Sequence, residues 1–341
     1  MPVTGLETTK AFRRTALASA PRVRRTERIA PLVLLFGLIG AIFAAIAVLM
    51  ILTIGQAATS AERTERFWVS LLALVGAVFF FSSIVYSIWN LNRRWRRRRA
   101  AADLAIARGW HYNFAWDPAD FPATLFRTGR QAWVENVSHL HEPRLIEAGN
   151  HSYMTTEGPR ARREIGFVSI ELDRTLPHMY LASTQRAAGG GNRPYPLPFP
   201  SDQRLSLEGD FDRWFRLYCP REYERDALYI LTPDVMALMI DEAPGFDIEV
   251  IDNQMFLIAR HPFDMTDKRV FDFAQRVSAT LGNKTAHQSA GYRDERSADA
   301  AFIDESGARL RTGRWIVSLV PAVLVGLVWL GIAWGSGIIS L

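Results

Sequence analysis

The sequence predicts three transmembrane α-helices attached to one soluble α+β domain, which has a mainly antiparallel sheet and covering helices. Two observations lead to this fold class. Three uncharged apolar runs of more than twenty residues each are long enough to cross a hydrocarbon core of roughly 30 Å. Most of the remaining chain mixes short alternating patterns with helix-length apolar stripes, which is typical of an α+β domain.

The predicted segments alternate between membrane and aqueous surroundings. In chain order they are a basic N-terminal segment 1–29, a transmembrane hairpin 30–91 with spans at about 31–54 and 67–89, a basic juxtamembrane helix 92–109, the α+β domain 110–282, a flexible tether 283–313 and a third transmembrane helix 314–341.

Arginine placement predicts the orientation of these segments. Basic residues cluster before the first span, after the second and before the third, and such clusters remain on the cytosolic side of bacterial membranes. We therefore expect a cytosolic N-terminus and domain and an external C-terminus. Cys219 is the only cysteine, so an intramolecular disulfide is excluded, which suits a reducing cytosol.

The charge distribution argues against a nucleic-acid partner. The whole chain has a formal charge of +5, but residues 100–312 carry 24 Lys plus Arg against 31 Asp plus Glu. The positive charge therefore lies beside the membrane, where it favours anionic lipid headgroups. The residues predicted to contact headgroups are Arg93, Arg94, Arg96, Arg97, Arg98 and Arg99.

Small residues in the first span predict helix packing. Gly37, Ala41 and Ala45 recur at four-residue spacing, which lets two helix backbones approach closely. This stripe serves either the hairpin or a homo-oligomer.

Alternating patterns and turn residues predict the strands of the domain. The expected strands are 110–116, 131–139, a hairpin of Ile165–Leu172 with Met179–Ala182 around Asp173–Pro177, then Arg204–Leu207, Phe211–Leu217, Asp226–Leu231, and a hairpin of Phe246–Ile251 with Met255–Arg260 turned at Asp252-Asn253. Helices are expected from Thr232-Pro233 to Glu242 and from Thr266 to Gly282, because each start resembles a capped first turn.

Two constellations are candidates for chemistry. His139 and His141 share one face of a predicted strand and could reach one metal ion, although no third ligand is evident. Asp210, Asp212 and Glu224 lie near Gly209, and such carboxylates can bind a cation or divide acid and base roles. Acidic residues at strand ends and turns are usually just solvated, which is the simpler explanation of the second group. The sequence contains neither a phosphate-binding loop nor a G-x-S-x-G motif, and it predicts no cofactor.

One stretch of the domain carries a family resemblance. It comprises the run from Leu207 to Phe215, the Tyr218-Cys-Pro220 step and the run from Ala227 to Asp234. It resembles a segment of uncharacterised bacterial integral membrane proteins that pair N-terminal spans with a cytosolic domain of unknown function. The resemblance implies a bacterial plasma membrane setting and no catalytic residue, and the third span departs from it.

Three functions follow as hypotheses. The leading one is a non-enzymatic, membrane-anchored cytosolic interaction or regulatory module with a protein partner or a second copy of itself. An alternative is a membrane-bound divalent-metal hydrolase or transferase that uses the acidic residues near Gly209. A further alternative is a subunit of an oligomeric channel or transporter, although the predicted spans contain no ionisable residue.

Overall fold

The computed structural model describes residues 9–19, 30–155, 161–185, 199–207, 209–299 and 302–312. The predicted third transmembrane helix lies outside these residues. The chain divides into two compact units, Met1–Leu172 with Gln254–Asn283 (unit 1) and Asp173–Asn253 with Lys284–Leu341 (unit 2). The fold is α+β, with antiparallel strand pairs and helices, as predicted.

Unit 1 begins with helices α1 (Thr9–Ser19), α2 (Ala30–Thr53) and α3 (Ser60–Ala107). The segments Pro31–Gln56 and Ser60–Ala107 are long and apolar enough to cross a membrane, with mean hydropathies of 2.9 and 2.3 in their most apolar windows. The start of α3 is capped by Thr59, since the Glu62 amide donates to Thr59 Oγ1 at 3.2 Å, and the Glu62 carboxylate in turn accepts a hydrogen bond from the Ala58 amide at 2.9 Å.

The surface of α2 and α3 indicates membrane association. Among the described residues, every exposed large hydrophobic side chain lies between Leu32 and Trp89, apart from Leu228, Tyr229 and Phe302. A continuous apolar surface of this extent is unfavourable in water and favourable in a bilayer.

Helix α3 does not end at the membrane boundary. It continues through the arginine run to Ala107, and the next backbone turn uses Gly109 at φ +78°. Trp95, Ala101, Ala102 and Ala105 of this continuation are all at most 3% exposed, so its inner face is packed against the rest of unit 1. One helix therefore forms both the second apolar segment and part of the domain core.

The sheet of unit 1 is an antiparallel meander. Its strands are β1 (His111–Trp116), β2 (Arg130–Leu140), β3 (Ile146–Met154) and the first part of β4 (Arg162–Ser183), hydrogen-bonded in that order. Helix α7 (Lys268–Val277) continues through a π-helical turn, Ser278–Gly282, and covers this unit. Strands β1 and β2 agree with the prediction, whereas β3 was not predicted.

Unit 2 contains the second part of β4 and smaller elements. In chain order these are β5 (Arg204–Leu205), α4 (Phe211–Trp214), β6 (Phe215–Tyr218), α5 (Glu224–Ile230), α6 (Pro233–Glu242), the first part of β7 (Asp247–Ile258), α8 (Asn283–Ser289) and α9 (Glu305–Ala308). Strand β6 lies between β4 and β5, and β7 also pairs with β4. Helix α6 begins after Thr232 with Pro233 in its first turn, as predicted.

Both predicted hairpins are wrong, because each is one continuous strand. Strand β4 runs for 22 residues through Asp173–Pro177, and β7 runs for 12 residues through Asp252-Asn253. Asp252 has φ +54°, so its turn conformation bends β7 without reversing it. The boundary between the two units falls within each of these strands, after Leu172 in β4 and after Asn253 in β7.

The predicted strand Asp226–Leu231 is also wrong, because Glu224–Ile230 is the helix α5. Ala227, Ile230 and Leu231 are buried and the intervening side chains are exposed. This spacing is helical, but in a run of six residues it resembles a short apolar strand.

The segment 283–313 was expected to be a flexible tether, yet its described part belongs to the folded body of unit 2. The side chain of Gln203 binds the backbone of Arg311 twice, donating to its carbonyl at 2.8 Å and accepting from its amide at 2.9 Å. The Leu310 amide donates to Nδ1 of the buried His178 at 2.8 Å. The chain is therefore held firmly up to the start of the predicted third span.

Candidate functional site

Unit 1 contains a polar cleft where α3 leaves its apolar segment, which we call the juxtamembrane cleft. It has a volume of about 360 Å³. Three elements form it: the arginine run of α3, the sheet, and the loop 262–266. Its lining residues are Arg94, Arg97, Arg98, Ala101, Glu135, Asn136, Asn150, Glu164, Pro262, Phe263, Asp264, Met265 and Thr266.

Helical periodicity selects the arginines that line the cleft. Arg94, Arg97, Arg98 and Ala101 follow the spacing i, i+3, i+4, i+7 and so share one face of α3. Arg96, which is exposed, lies off this face. The run of basic residues therefore divides into a cleft-facing stripe and an outward-facing remainder.

A largely buried ion pair anchors this stripe. Arg98 Nη2 donates to Glu135 Oε2 at 2.9 Å, and the side chains are only 13% and 10% exposed. The Arg98 guanidinium also lies 5.0 Å from the ring centroids of both Trp95 and Phe114. Stacking and a charge-assisted hydrogen bond together fix the position of Arg98.

A β-bulge brings two consecutive residues of β2 to the cleft. The register of β2 with β3 shifts between Glu135 and Ser138, and Asn136 has φ +55°. Consecutive strand residues normally face opposite sides, so the bulge is what lets Glu135 and Asn136 line one cavity. Asparagine tolerates this backbone conformation, and its side-chain oxygen accepts a hydrogen bond from Tyr112 Oη at 2.8 Å.

The loop 262–266 is held by one side chain of the sheet. The amide group of Asn150 binds the backbone of Phe263 twice, accepting from its N–H at 2.7 Å and donating to its carbonyl at 2.9 Å. The ring of Phe263 lies flat against Gly166, where an added Cβ would be 2.7 Å from the ring. The wall of the cleft is thus set by an asparagine and a glycine on neighbouring strands.

The carboxylates of the cleft are held differently. The side chain and backbone of Thr266 donate to Asp264, and these bonds, with Arg97 at 2.8 Å, hold the pKa of Asp264 below its ordinary value. Partial desolvation raises the pKa of Glu164, and the nearby Glu135 adds to this, whereas Arg162, Arg98 and Arg94 oppose it. Among the described residues, no hydrogen bond or ion pair involves Glu164.

The six arginines predicted to contact headgroups have different surroundings. Arg97 and Arg98 pair with carboxylates, Arg99 lies 3.5 Å from Asp103, and Arg93 lies over the ring of Trp89. Arg94 is exposed at the cleft. Headgroup contact itself stays a prediction, and the geometry singles out Arg94 as a cation directed to the cavity without a described partner.

The hairpin covers part of the predicted small-residue stripe: Gly37 is half-buried, and an added Cβ there would lie 3.9 Å from Ile84 of α3. Ala41 and Ala45 are exposed, whereas the neighbouring Gly40 is buried, and an added Cβ there would lie 3.3 Å from Phe80 of α3. Gly76 on α3 lies so close to the ring of Phe43 that an added Cβ would be 2.6 Å away. The glycines that matter for the hairpin are therefore those that admit aromatic rings.

The structure does not bring the acidic candidates together. Asp210 pairs with Arg213 at 3.2 Å, and Asp212 accepts hydrogen bonds from Ser206 Oγ at 2.5 Å and the Leu207 amide at 3.2 Å. Glu224 begins helix α5, and no described hydrogen bond or ion pair links it to either aspartate. Each carboxylate serves its own local turn or helix.

The histidine pair gains a third member from the neighbouring strand. His111 on β1 is the cross-strand partner of His139, and the rings of His111, His139 and His141 lie with centroids 5.1–5.9 Å apart. Desolvation lowers the pKa of His139 to about 4, and the other two histidines contribute. Within the described ranges, no group of three or more His, Cys, Asp or Glu residues is arranged to hold a metal ion.

The sequence offered no signal for most of the cleft. Asn150 lies on β3, whose residues are nearly all buried, polar ones included, so it shows no alternating pattern. The loop residues and Glu164 join the arginines only through the fold. The i, i+3, i+4 spacing of Arg94, Arg97 and Arg98 was the one indication of the cleft in the sequence, because it places three cations on one helix face.

Comparison with known proteins adds little to these observations. No protein-family model and no curated protein matches the chain. Among solved structures, the chain is similar to that of the mycobacterial trehalose monomycolate transport factor A, TtfA, with 10% sequence identity over 55% of this chain and 93% of that one. The TM-score is 0.37.

Proposed function

We propose that the chain is a membrane-anchored interaction or regulatory module of a bacterial plasma membrane, with its N-terminus and α+β domain in the cytosol. The observation that carries this proposal is the uninterrupted helix α3. Its 48 residues correspond to a length of roughly 72 Å at about 1.5 Å per residue, and they join an exposed apolar segment to the domain core. A rigid connection of this kind suits a protein that links events in the membrane to a cytosolic surface.

Binding is favoured over catalysis by the surroundings of the acidic candidates. Asp210 and Asp212 are each engaged by neighbouring residues of the same loop or helix. The juxtamembrane cleft instead contains paired arginines and carboxylates, which recognise charged groups.

Labelling of introduced cysteines tests the orientation. The native Cys219 is 2% exposed, so it gives little background. Ala58→Cys, in the connection between α2 and α3, should react with a membrane-impermeant maleimide in intact cells. Asp120→Cys, exposed in unit 1, should react only after permeabilisation. The reverse pattern would overturn the cytosolic placement of the domain.

Insertion of three glycines after Asn92 tests whether partner binding requires a continuous α3, because the insertion interrupts the helix between its apolar part and its domain part. The comparison is purification in mild detergent with mass spectrometry of co-purifying proteins. We expect a stoichiometric partner with the wild-type chain that is lost or reduced with the insertion. A chain that purifies alone and monodisperse, with and without the insertion, would contradict the interaction role and favour an enzyme screen with divalent metals.

A further inference from the structure

We propose that the juxtamembrane cleft binds the zwitterionic headgroup of an ethanolamine phospholipid. The phosphate would contact Arg94 with support from Arg97, and the ammonium group would contact Glu164. The inference deepens the proposed function, since it requires α3 to span the membrane.

Position along α3 is the first support. The apolar segment ends at Trp89, an aromatic residue of the kind that marks the membrane interface. At about 1.5 Å per residue, Arg94 lies roughly 7 Å beyond Trp89 and Arg98 roughly 13 Å beyond it. The polar headgroup layer is about 5–8 Å thick on each side of the hydrocarbon core. The entrance of the cleft is therefore at headgroup depth.

Charge balance is the second support. The cleft contains three arginines and three carboxylates. Arg98 pairs with Glu135 and Arg97 with Asp264. Within the described part of the chain, no hydrogen bond or ion pair engages the side chains of the two remaining charges, Arg94 and Glu164, although Arg162, Arg98 and Arg94 act on Glu164 electrostatically. The unmatched set is one cation and one anion, which suits a ligand that carries one charge of each sign.

The chemistry of the two charges selects the headgroup. A guanidinium binds phosphate oxygens through a fork of N–H donors. A primary ammonium group has three donors for a carboxylate, whereas the quaternary ammonium of choline has none and is bound by aromatic cages. Phe263 is the one aromatic residue of the lining, so no such cage is present in this cleft. An anionic glycerol headgroup would leave Glu164 opposite a ligand without a cation.

The electrostatics of Glu164 agree with this arrangement. Desolvation and the neighbouring Glu135 disfavour its ionised form and raise its pKa, although Arg162, Arg98 and Arg94 act in the opposite direction. An ammonium group beside Glu164 would offset both effects, because an opposite charge within a few ångströms stabilises the ionised carboxylate. The volume of about 360 Å³ is also within the range of small-ligand sites, which begin at about 300 Å³.

Native mass spectrometry of the full chain tests the proposal. The chain is released from nanodiscs that contain equal amounts of phosphatidylethanolamine, phosphatidylcholine and phosphatidylglycerol, and the retained lipids are counted. We expect preferential retention of phosphatidylethanolamine by the wild type. Arg94→Gln and Glu164→Gln should each reduce this retention about tenfold, as expected for the loss of one charge-assisted contact.

Arg96→Gln is the matched control, because it removes the same charge two residues away on a side chain outside the cleft. It should retain phosphatidylethanolamine like the wild type. Equal losses in Arg94→Gln and Arg96→Gln would overturn the proposal and indicate non-specific attraction by the basic run. Preference for phosphatidylglycerol, strengthened by Glu164→Gln, would also overturn it.

Two further measurements distinguish a lipid from a soluble ligand, and a failure of the proposed membrane anchoring from a failure of the proposed headgroup binding. Soluble glycerophosphoethanolamine should displace the retained lipid only at high concentration, whereas efficient displacement would identify a soluble metabolite as the ligand and overturn the lipid assignment. Carbonate extraction of native membranes reports on the anchoring itself. A chain that is removed by carbonate refutes the membrane-spanning function, whereas a chain that stays in the membrane but shows no headgroup preference refutes only this inference.

Discussion

Replacement of Gly166 by alanine is the sharpest test of how the cleft is built. A Cβ at this position would lie 2.7 Å from Cγ of Phe263 and 2.9 Å from both of its Cδ atoms. Contacts this short cannot persist. The nearest atom, Cγ, joins the ring to Cβ, so rotation of the ring about the Cβ–Cγ bond does not relieve the clash. The loop must move, although Asn150 holds its backbone by two hydrogen bonds. Overpacking of this kind costs about 1–3 kcal/mol.

The assay for this effect is a double-mutant cycle in detergent, with the free energy of unfolding obtained from urea titration. Gly166→Ala should be destabilised by about 1–3 kcal/mol. In the Phe263→Ala background the same substitution should cost almost nothing, which gives a coupling energy of at least about 1 kcal/mol. Gly245→Ala is the control, since an added Cβ at Gly245 meets nothing within 4 Å. Additive costs for the two substitutions in unit 1 would refute the reasoning.

Three further outcomes are expected. Arg98→Ala should destabilise the chain by up to about 3–5 kcal/mol because it leaves a buried carboxylate unpaired, whereas Arg97→Ala, whose side chain is 60% exposed, should cost at most about 1 kcal/mol in the same urea titration. Desolvation and a nearby carboxylate raise the pKa of Glu147 to about 7. The folded state therefore holds a proton that the unfolded state loses near pH 4.5, so the free energy of unfolding falls as the pH rises from about 4.5 to 7. Glu147→Gln should abolish this fall and stabilise the chain at pH 8. Gln203→Ala should speed tryptic cleavage after Arg311, because two hydrogen bonds to its backbone are lost, and an unchanged cleavage rate would show that other contacts suffice.

Local patterns predicted the parts of the fold that local interactions decide. The apolar runs of α2 and α3, the N-terminal turn of α6 and strands β1 and β2 follow from composition, capping and alternation. The arginine run continues as helix to Ala107 because it contains no helix breaker before Gly109. These elements need no information from distant residues.

The errors arise where distant residues decide. Asp173–Pro177 and Asp252-Asn253 have turn chemistry, yet the long strands β4 and β7 pair with one another and remain extended. In helix α7, Phe271, Ala274 and Val277 are fully buried, whereas Phe273 of the same stretch is only half-buried. The sequence alone does not decide between these two aromatic rings. The cleft could not be predicted from the sequence for the same reason, since its asparagine, its glutamate and its loop meet only through tertiary pairing.

The arginine run serves two physical purposes that the helical period keeps apart. All of its side chains contribute charge at the end of the second apolar segment, and this effect depends on their number rather than on the face they occupy. Recognition in the cleft depends on the face, because only Arg94, Arg97 and Arg98 line it. Removal of Arg93 and Arg96 together therefore matches removal of Arg94 and Arg97 in net charge. Any difference between these double variants in lipid retention must arise from the cleft, whereas an equal loss would assign the whole effect to charge beside the membrane.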